Sequence, residues 1–288
     1  HPVDRRQRQM CIRDSFNMTS PETAGAQTST EGGYTLIEHL PFTTVKVIGA
    51  RARIGLVVLA SDYTIEHEFR AMIAMEGVDL FMARIANDPR VTPETLAAME
   101  PMLTDTASRI LPGDRLDVLA YGCTSASVLL GADRVSQRLA EAKPDTPVSN
   151  PISAAFAAFD ALGARRIGVL TPYRRDVNEQ VRAYITRHGY EVPVFGSFNE
   201  EMDPVVATID EDSLVSAIDT IRAGHEIDAV FVSCTSVRLA EAVAGIEERT
   251  SLPVTSSNHA MAWHCLRLAG IGDTVADRGR LFTLPLGE

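Results

Sequence analysis

Two cysteines occur in the same short motif, Cys-Thr-Ser, at residues 123–125 and 234–236. A thiol can act as a nucleophile, an acid or a base, and the hydroxyl groups that follow it can donate hydrogen bonds to a carboxylate. If the two motifs face each other across a cleft, one thiol stands on each side of a substrate carbon atom. The pair therefore predicts chemistry at a carbon next to a carboxylate, with Cys123 and Cys234 as the reacting groups.

The sequence around each motif predicts how these cysteines are positioned. Apolar runs at 116–120 and 227–232 come directly before the motifs, and amphipathic stretches at 128–139 and 239–246 follow them. This pattern predicts a strand, a tight turn and a helix each time, with the cysteine at the helix start. A single buried cysteine commonly fills a core, but the repeated context favours a functional pair. The positive end of each helix dipole is expected to lower the thiol pKa.

Hydroxyl groups near the cysteines are the predicted ligands of the substrate carboxylate. Removing a proton beside a carboxylate creates a dianionic enediolate, which an enzyme must stabilise with fixed hydrogen-bond donors. Tyr173 follows the predicted strand 166–170 and would add a phenol at the same edge. The predicted donors are Thr124, Ser125, Tyr173, Thr235 and Ser236.

Three further polar residues follow predicted strands at this edge. Asp62 is expected to face the cleft, where its charge would disfavour a second carboxylate and suit an ammonium group. Asn150 and Asn258 either line the pocket or cap a helix, and both interpretations stay open. His259 and His264 lack metal-ligand spacing with other candidates, so no metal site is predicted.

The second half of the chain repeats the order of the first. Three pairs of landmarks fall at nearly constant spacing: Arg53 and Arg166, Cys123 and Cys234, and Pro147 and Pro253. The repeat predicts an α/β fold with two pseudo-symmetric halves, each a short parallel sheet flanked by helices. Ligands of such sheets bind at the carboxyl ends of the strands, so the active site is expected between the halves.

The predicted boundaries are a disordered leader at 1–33, an N-terminal half at 34–163 and a C-terminal half at 164–288. The leader is rich in Ser, Thr, Gly and Arg and offers little to bury. Met18 is a candidate start, which would make residues 1–17 non-native.

Composition excludes several classes of function. The net charge of −11, without a basic stripe, argues against nucleic acid as a partner, and the apolar runs are too short for a membrane span. Four cysteines in 288 residues form no disulfide framework, so the expected location is a reducing cytoplasm. The chain has no Walker loop or G-x-G-x-x-G motif, so no nucleotide or flavin cofactor is expected.

With Gly-Cys-Thr-Ser at 122–125 and Ser-Cys-Thr-Ser at 233–236, the chain resembles the Asp/Glu/hydantoin racemase superfamily. Residues 166–173, Arg-Ile-Gly-Val-Leu-Thr-Pro-Tyr, and Ser-Ser-Asn at 256–258 resemble its maleate cis–trans isomerase and arylmalonate decarboxylase branch. Residues 66–69, 195–201 and 256–264 are similar to racemase-like proteins of ectoine-utilisation clusters. The resemblance covers about residues 50–272.

This resemblance implies a cofactor-independent enzyme, expected as a dimer. Thr124, Ser125 and Tyr173 would hold the reacting carboxylate in a dioxyanion hole. By resemblance to maleate isomerases, Cys123 would be the nucleophile and Cys234 the acid.

Two departures within the branch bear on the substrate and the reaction. Decarboxylases of the branch lack the first cysteine, so Cys123 disfavours decarboxylation. Maleate isomerases carry asparagine at the position of Asp62, so its carboxylate favours a substrate with an amino group.

We therefore predict a racemase or isomerase of a small carboxylic acid, in particular an amino acid derivative such as one from ectoine breakdown. The alternatives are maleate-type cis–trans isomerisation through a covalent adduct at Cys123, and a non-catalytic protein that binds a small molecule.

Overall fold

The computed structural model describes residues 26–287, and its first two strands form an antiparallel hairpin. Strand β1 (Gln27–Glu31) pairs with β2 (Tyr34–Glu38), and the described residues up to Val47 belong to one of the two compact units of the chain. Gly32 and Gly33 join the strands with φ angles of 58° and 87°, which a two-residue hairpin turn requires. The predicted disorder is therefore wrong for residues 27–31, and residues 1–25 lie outside the described chain.

The first parallel sheet has β3 as its central strand, buried along nearly its whole length. Its strands are β3 (Ala52–Leu59), β4 (Val78–Ile85), β5 (Val118–Gly122) and β6 (Val148–Ser149). They lie in the order β4-β3-β5-β6, and all pairings are parallel. A continuous apolar run, without alternation, is what a strand covered by helices on both faces requires.

The second parallel sheet repeats the topology of the first. Its strands are β7 (Arg166–Thr171), β8 (Glu191–Ser197), β9 (Ala229–Val232) and β10 (Val254–Ser256). They lie in the order β8-β7-β9-β10, again parallel throughout. Both sheets belong to the compact unit that begins at residue 48. The predicted α/β class, with two like halves, is confirmed.

Helices cover both sheets. They are α1 (Ile65–Met72), α2 (Pro93–Ala97), α3 (Leu103–Ser108), α4 (Thr124–Leu130), α5 (Ala132–Ala142), α6 (Pro151–Leu162), α7 (Arg175–Arg187), α8 (Asp203–Val206), α9 (Glu211–Arg222), α10 (Val243–Thr250) and α11 (Ser257–Leu268). Within residues 26–287, no helix has the length and apolarity needed to cross a membrane.

The strand-to-helix connections at the two cysteines differ from each other. Cys123 directly precedes α4, as predicted, but the chain after Cys234 forms turns and enters α10 only at Val243. The predicted helix over 239–246 therefore starts late. The amide groups of Leu239 and Ala240 donate to a side chain, Oε1 of Glu68, instead of to a preceding carbonyl group of a helix.

Gly122 allows helix α1 to pack closely against the end of β5, next to Cys123. A methyl group at this position would lie 2.5 Å from Cδ1 of Ile65, which is far inside contact distance. The absence of a side chain at Gly122 therefore sets how near α1 comes to the cysteine motif.

Candidate active site

Both Cys-Thr-Ser motifs line one cavity, together with Tyr173 and Asp203. Cys123 follows β5 and Cys234 follows β9. These strands occupy the same position in the two sheets, third in the orders β4-β3-β5-β6 and β8-β7-β9-β10. Because these strands are equivalent in the two halves, the fold brings the two thiols to the same space. The cavity is lined by Leu59, Asn87, Asp88, Arg90, Val91, Thr95, Leu96, Met99, Cys123, Thr124, Ser125, Tyr173, Asp203, Cys234, Thr235 and Ser236.

The cavity is nearly closed. The space open to the centre of a water molecule is about 10 Å³, so the cavity has room for about one water. Residues 89–91 and 201–203 form one wall, where Val91 donates its amide to the Glu201 carbonyl and Asp203 donates its amide to the Pro89 carbonyl, both at 3.3 Å. These two hydrogen bonds hold the segments together beside the cavity.

Cys123 is buried at the N-terminal cap of α4, with Oγ of Ser125 at 3.7 Å from its sulfur. Burial raises its pKa to about 11, although hydrogen bonds from Ala126 and Ser125 oppose the shift. The expectation of a lowered thiol pKa is therefore wrong. The loss of hydration outweighs the stabilisation by the helix start.

Cys234 is also buried, and it lies in a turn without a following helix. The amide of Ser236 donates to its sulfur at 3.4 Å. Burial raises the pKa of this thiol to about 12, the negative charge of Asp203 contributes, and hydrogen bonds from Tyr173 and Ser236 oppose the shift. The lowered pKa expected here is wrong for the same physical reason.

The hydroxyl groups of the motifs divide into those that donate to an oxygen atom of the protein and one, that of Ser125, that contacts a thiol. Thr124 donates to Oγ of Ser257 at 2.7 Å, Thr235 to the Gly122 carbonyl at 3.3 Å, and Ser236 to Oδ1 of Asp203 at 3.0 Å. A hydroxyl group has one proton, so in this arrangement these three present acceptor lone pairs to the cavity.

The hydroxyl groups of Ser125 and Tyr173 interact with the two thiols, which are weak hydrogen-bond acceptors. Ser125 contacts the Cys123 sulfur, and the phenol of Tyr173 interacts with Cys234. Burial, followed by the charges of Cys234 and other nearby groups, raises the pKa of Tyr173 well above its usual value, so the phenol stays protonated. These two side chains can donate to a substrate carboxylate.

Asp203 is a cavity residue that the sequence analysis missed. It is 4% exposed and begins α8, the short helix Asp203–Val206, before a proline. An Asp-Pro pair at a helix start usually indicates only a favourable charge at the helix N-terminus. The sequence around Asp203 carries no further signal of a cavity residue.

Three predicted ligands lie outside the cavity lining. Oδ1 of Asp62 accepts the amides of Thr64 and Ile65 at 2.7 and 2.8 Å, and thus caps the start of α1. Asn150 caps α6 by accepting the amide of Ser153 at 3.1 Å. Asn150 thus takes the helix-cap interpretation, one of the two that the sequence left open. Oδ2 of Asp62 is buried without a hydrogen-bond partner among the described residues, so a role of Asp62 at the site stays a prediction.

Asn258 ties the two halves together instead of lining the cavity. Its amide group donates to Oε2 of Glu68 at 2.7 Å and to the Thr235 carbonyl at 2.8 Å. Glu68 in turn accepts the amides of Leu239 and Ala240 at 2.7 and 2.6 Å. Burial raises the pKa of Glu68 to about 7. This network fixes the turn that carries Cys234.

His259 and His264 have structural partners. Nδ1 of His259 lies 3.0 Å from Oγ1 of Thr255, and its Nε2 lies 2.6 Å from the Arg278 carbonyl. His264 pairs with Ser149 at 2.9 Å. Among residues 26–287, no group of three or more His, Cys, Asp or Glu side chains is arranged to hold a metal ion.

Between about pH 4 and pH 6, the wild-type protein is expected to lose stability relative to an Asp62→Asn variant. Burial raises the pKa of Asp62 from 3.8 to about 6, so the folded state holds a proton that the unfolded chain has released. This stabilisation is complete below pH 3.8 and is lost as the pH rises through about 6. At ~1.4 kcal/mol per pKa unit, the loss is on the order of 3 kcal/mol.

Asparagine can cap the helix as well as aspartate, so Asp62→Asn removes the titration and keeps the hydrogen bonds. Urea unfolding of both proteins over this pH range measures the effect. Parallel curves of unfolding free energy against pH would contradict the prediction.

A family comparison agrees with this architecture. Residues 55–282 match the profile of the family described as Amdase, arylmalonate decarboxylase. The chain therefore belongs to the arylmalonate decarboxylase and maleate isomerase family, which has the Asp/Glu racemase-like fold.

Three relatives show the extent of the similarity. The maleate isomerase of Pseudomonas putida is 28% identical over 80% of this chain and 97% of its own length. The arylmalonate decarboxylase of Bordetella bronchiseptica is 31% identical over 67% of this chain and 81% of its own length. A cysteine-to-serine mutant of the Nocardia farcinica maleate cis–trans isomerase, solved with a covalently bound succinylcysteine intermediate, is 26% identical with a TM-score of 0.74. That match covers 80% of this chain and 98% of the other.

Proposed function

We propose that this protein is a cofactor-independent isomerase of a small carboxylic acid and that it reacts through Cys123 and Cys234. The observation that carries the proposal is the single cavity that both thiols line, one from each half of the fold. Two acid–base groups on opposite sides can serve the two faces of one carbon atom. Oδ1 of Asp62 caps α1, so the amino group predicted from this residue remains a prediction.

The substrate carboxylate would bind Ser125 and Tyr173, whose hydroxyl groups would turn from the weakly accepting thiols to the carboxylate oxygens. As a proton leaves the neighbouring carbon, negative charge moves onto the carboxylate oxygens. Donors already fixed in position stabilise this charge without having to reorganise, and they act most strongly in a cavity that excludes water. Tyr173 and Ser125 would thus supply the dioxyanion hole.

In the racemase mechanism, one thiolate removes the proton from the carbon next to the carboxylate. The opposite thiol donates its own proton to the other face, which inverts the configuration and leaves the two cysteines with exchanged protonation states. The raised pKa values make either thiolate a strong base once it has formed.

A second mechanism is favoured by the succinylcysteine intermediate of the N. farcinica relative. Here the Cys123 thiolate adds to a carbon–carbon double bond, and Cys234 donates a proton to the neighbouring carbon. Rotation about the resulting single bond and elimination of the thiolate, with return of the proton to Cys234, give the trans isomer. This route needs no exchange of the substrate hydrogens.

A panel of small acids in deuterated water tests the proposal. The racemase mechanism is expected to exchange the hydrogen next to the carboxylate and invert that carbon, as seen by NMR and chiral chromatography. The covalent mechanism is expected to convert maleate to fumarate without exchange. Affinity for a small acid without either reaction would identify a binding protein and contradict the proposed function.

A further inference from the structure

Asp203 places a carboxylate on the wall of the cavity that contains both thiols. Its side chain is held from two sides: Ser61 donates to Oδ2 and Ser236 donates to Oδ1, each at 3.0 Å. Two fixed hydrogen bonds give the carboxylate a defined position and still leave a lone pair on each oxygen. The Asp203 carboxylate is therefore fixed in the cavity wall and can accept a further hydrogen bond.

No basic side chain within residues 26–287 forms an ion pair with Asp203. The salt bridges that do form involve other acids, and the one arginine on the cavity wall, Arg90, pairs with Asp88 at 3.4 Å. A buried carboxylate without a cationic partner is costly, since it has lost most of its hydration. A ligand that brings a positive charge would compensate for this loss.

The hydroxyl groups next to Asp203 are also arranged to favour a cationic ligand. Ser236 and Thr235 have given their protons to Asp203 and to the Gly122 carbonyl, so they present lone pairs. Ser125 and Tyr173 can still donate. The cavity therefore offers donors for a carboxylate and acceptors with a negative charge for an ammonium group.

We propose that Asp203 binds a protonated amino group, and that the substrate is a small amino acid and not a dicarboxylate. This inference rests on the proposed function only for the location of the reacting carbon. A second carboxylate, as in maleate, would approach Asp203 and be repelled, whereas the zwitterion of an amino acid matches both sides of the cavity.

The binding of an ammonium group to Asp203 would also change the pKa of the two thiols. The charge of Asp203 contributes to the raised pKa of both Cys123 and Cys234. An ammonium group bound to Asp203 would offset that charge and make the thiolate easier to form when substrate is present. The substrate would in this way assist the activation of its own base.

The test compares acids that differ only in the amino group. L-Alanine and L-2-aminobutyrate are matched with propionate and butyrate, and maleate is the dicarboxylate. Binding is measured by saturation-transfer NMR and thermal stabilisation, and reaction by deuterium incorporation. The wild-type protein is expected to bind the amino acids on the order of 10- to 100-fold more tightly than their partners without an amino group.

In the Asp203→Asn variant this preference is expected to disappear, while binding of maleate is retained or improved. Asp219→Asn, which removes one negative charge from an exposed site on α9, is the control for net charge and should keep the preference. The comparison of matched acids on the wild-type protein needs no variant, so it tests the inference even if Asp203→Asn does not fold.

The outcomes separate the two proposals. Equal binding of propionate and alanine by the wild type, or an unchanged preference in Asp203→Asn, overturns the role of Asp203 whatever the reaction. Amino acid binding that depends on Asp203 but gives no exchange and no isomerisation supports the inference and contradicts the proposed isomerase.

Discussion

Replacement of either Cys123 or Cys234 by serine is expected to lower turnover by about 10²–10⁴-fold, the usual contribution of a positioned acid or base. A serine hydroxyl is a far weaker acid than a thiol, so it can neither form the anion nor return the proton at a useful rate. Both variants should fold, because serine is smaller and the sheets that carry the two residues are unchanged.

Cys265→Ala is the matched control. Cys265 is a buried free cysteine on α11 outside the cavity lining, so this variant should keep turnover close to that of the wild type. Turnover within a few-fold of the wild type after either Cys123→Ser or Cys234→Ser would contradict a role for the pair.

The same variants distinguish the two mechanisms. In a racemase, each serine variant can retain hydrogen exchange with the one enantiomer that faces its remaining thiol. In a covalent isomerase, Cys123→Ser loses all reaction, and mass spectrometry of the intact enzyme with maleate detects an adduct at Cys123. An adduct without exchange would select the covalent route.

Tyr173→Phe is expected to reduce turnover by about 10²–10³-fold, as loss of one oxyanion donor does. The substitution removes one hydroxyl group and leaves the ring in place. Because the phenol would act most strongly on the enediolate, the loss should appear in kcat more than in KM.

Tyr190→Phe provides the comparison for this substitution. The Tyr190 hydroxyl donates to the Phe156 carbonyl at 3.2 Å, outside the cavity lining, so its loss should leave kcat unchanged. A kcat for Tyr173→Phe that matches that of Tyr190→Phe would show that the phenol only packs against the cavity wall.

The fold was largely predictable because its sheets are simple to detect from a sequence. Strands such as β3 and β7 are covered on both faces and therefore appear as continuous apolar runs. Parallel pairing then places the ends of β5 and β9 at equivalent positions, so the shared cavity of Cys123 and Cys234 follows from their sequence context.

Other parts of the site depend on contacts between distant segments, which no local pattern encodes. Asp203 reaches the cavity because residues 201–203 pair with residues 89–91. The sequence around Asp62 fits both a residue that faces a cleft and a residue that caps a helix. Only the structure shows which backbone amides donate hydrogen bonds to its side chain. The prediction of a lowered thiol pKa is wrong because burial has the larger effect, and burial depends on the closed cavity, which the sequence does not show.

The hydrogen bonds that the amides of Leu239 and Ala240 donate to Glu68 connect residues 171 and 172 positions apart. Contacts of such long separation form late in folding, since closing a long loop of chain costs entropy. The turn that carries Cys234 therefore takes its shape only after a helix of the other half has docked. Neither half, made as a separate polypeptide, would possess a complete site, and a newly synthesised chain forms its reactive centre only after both halves have been translated and packed.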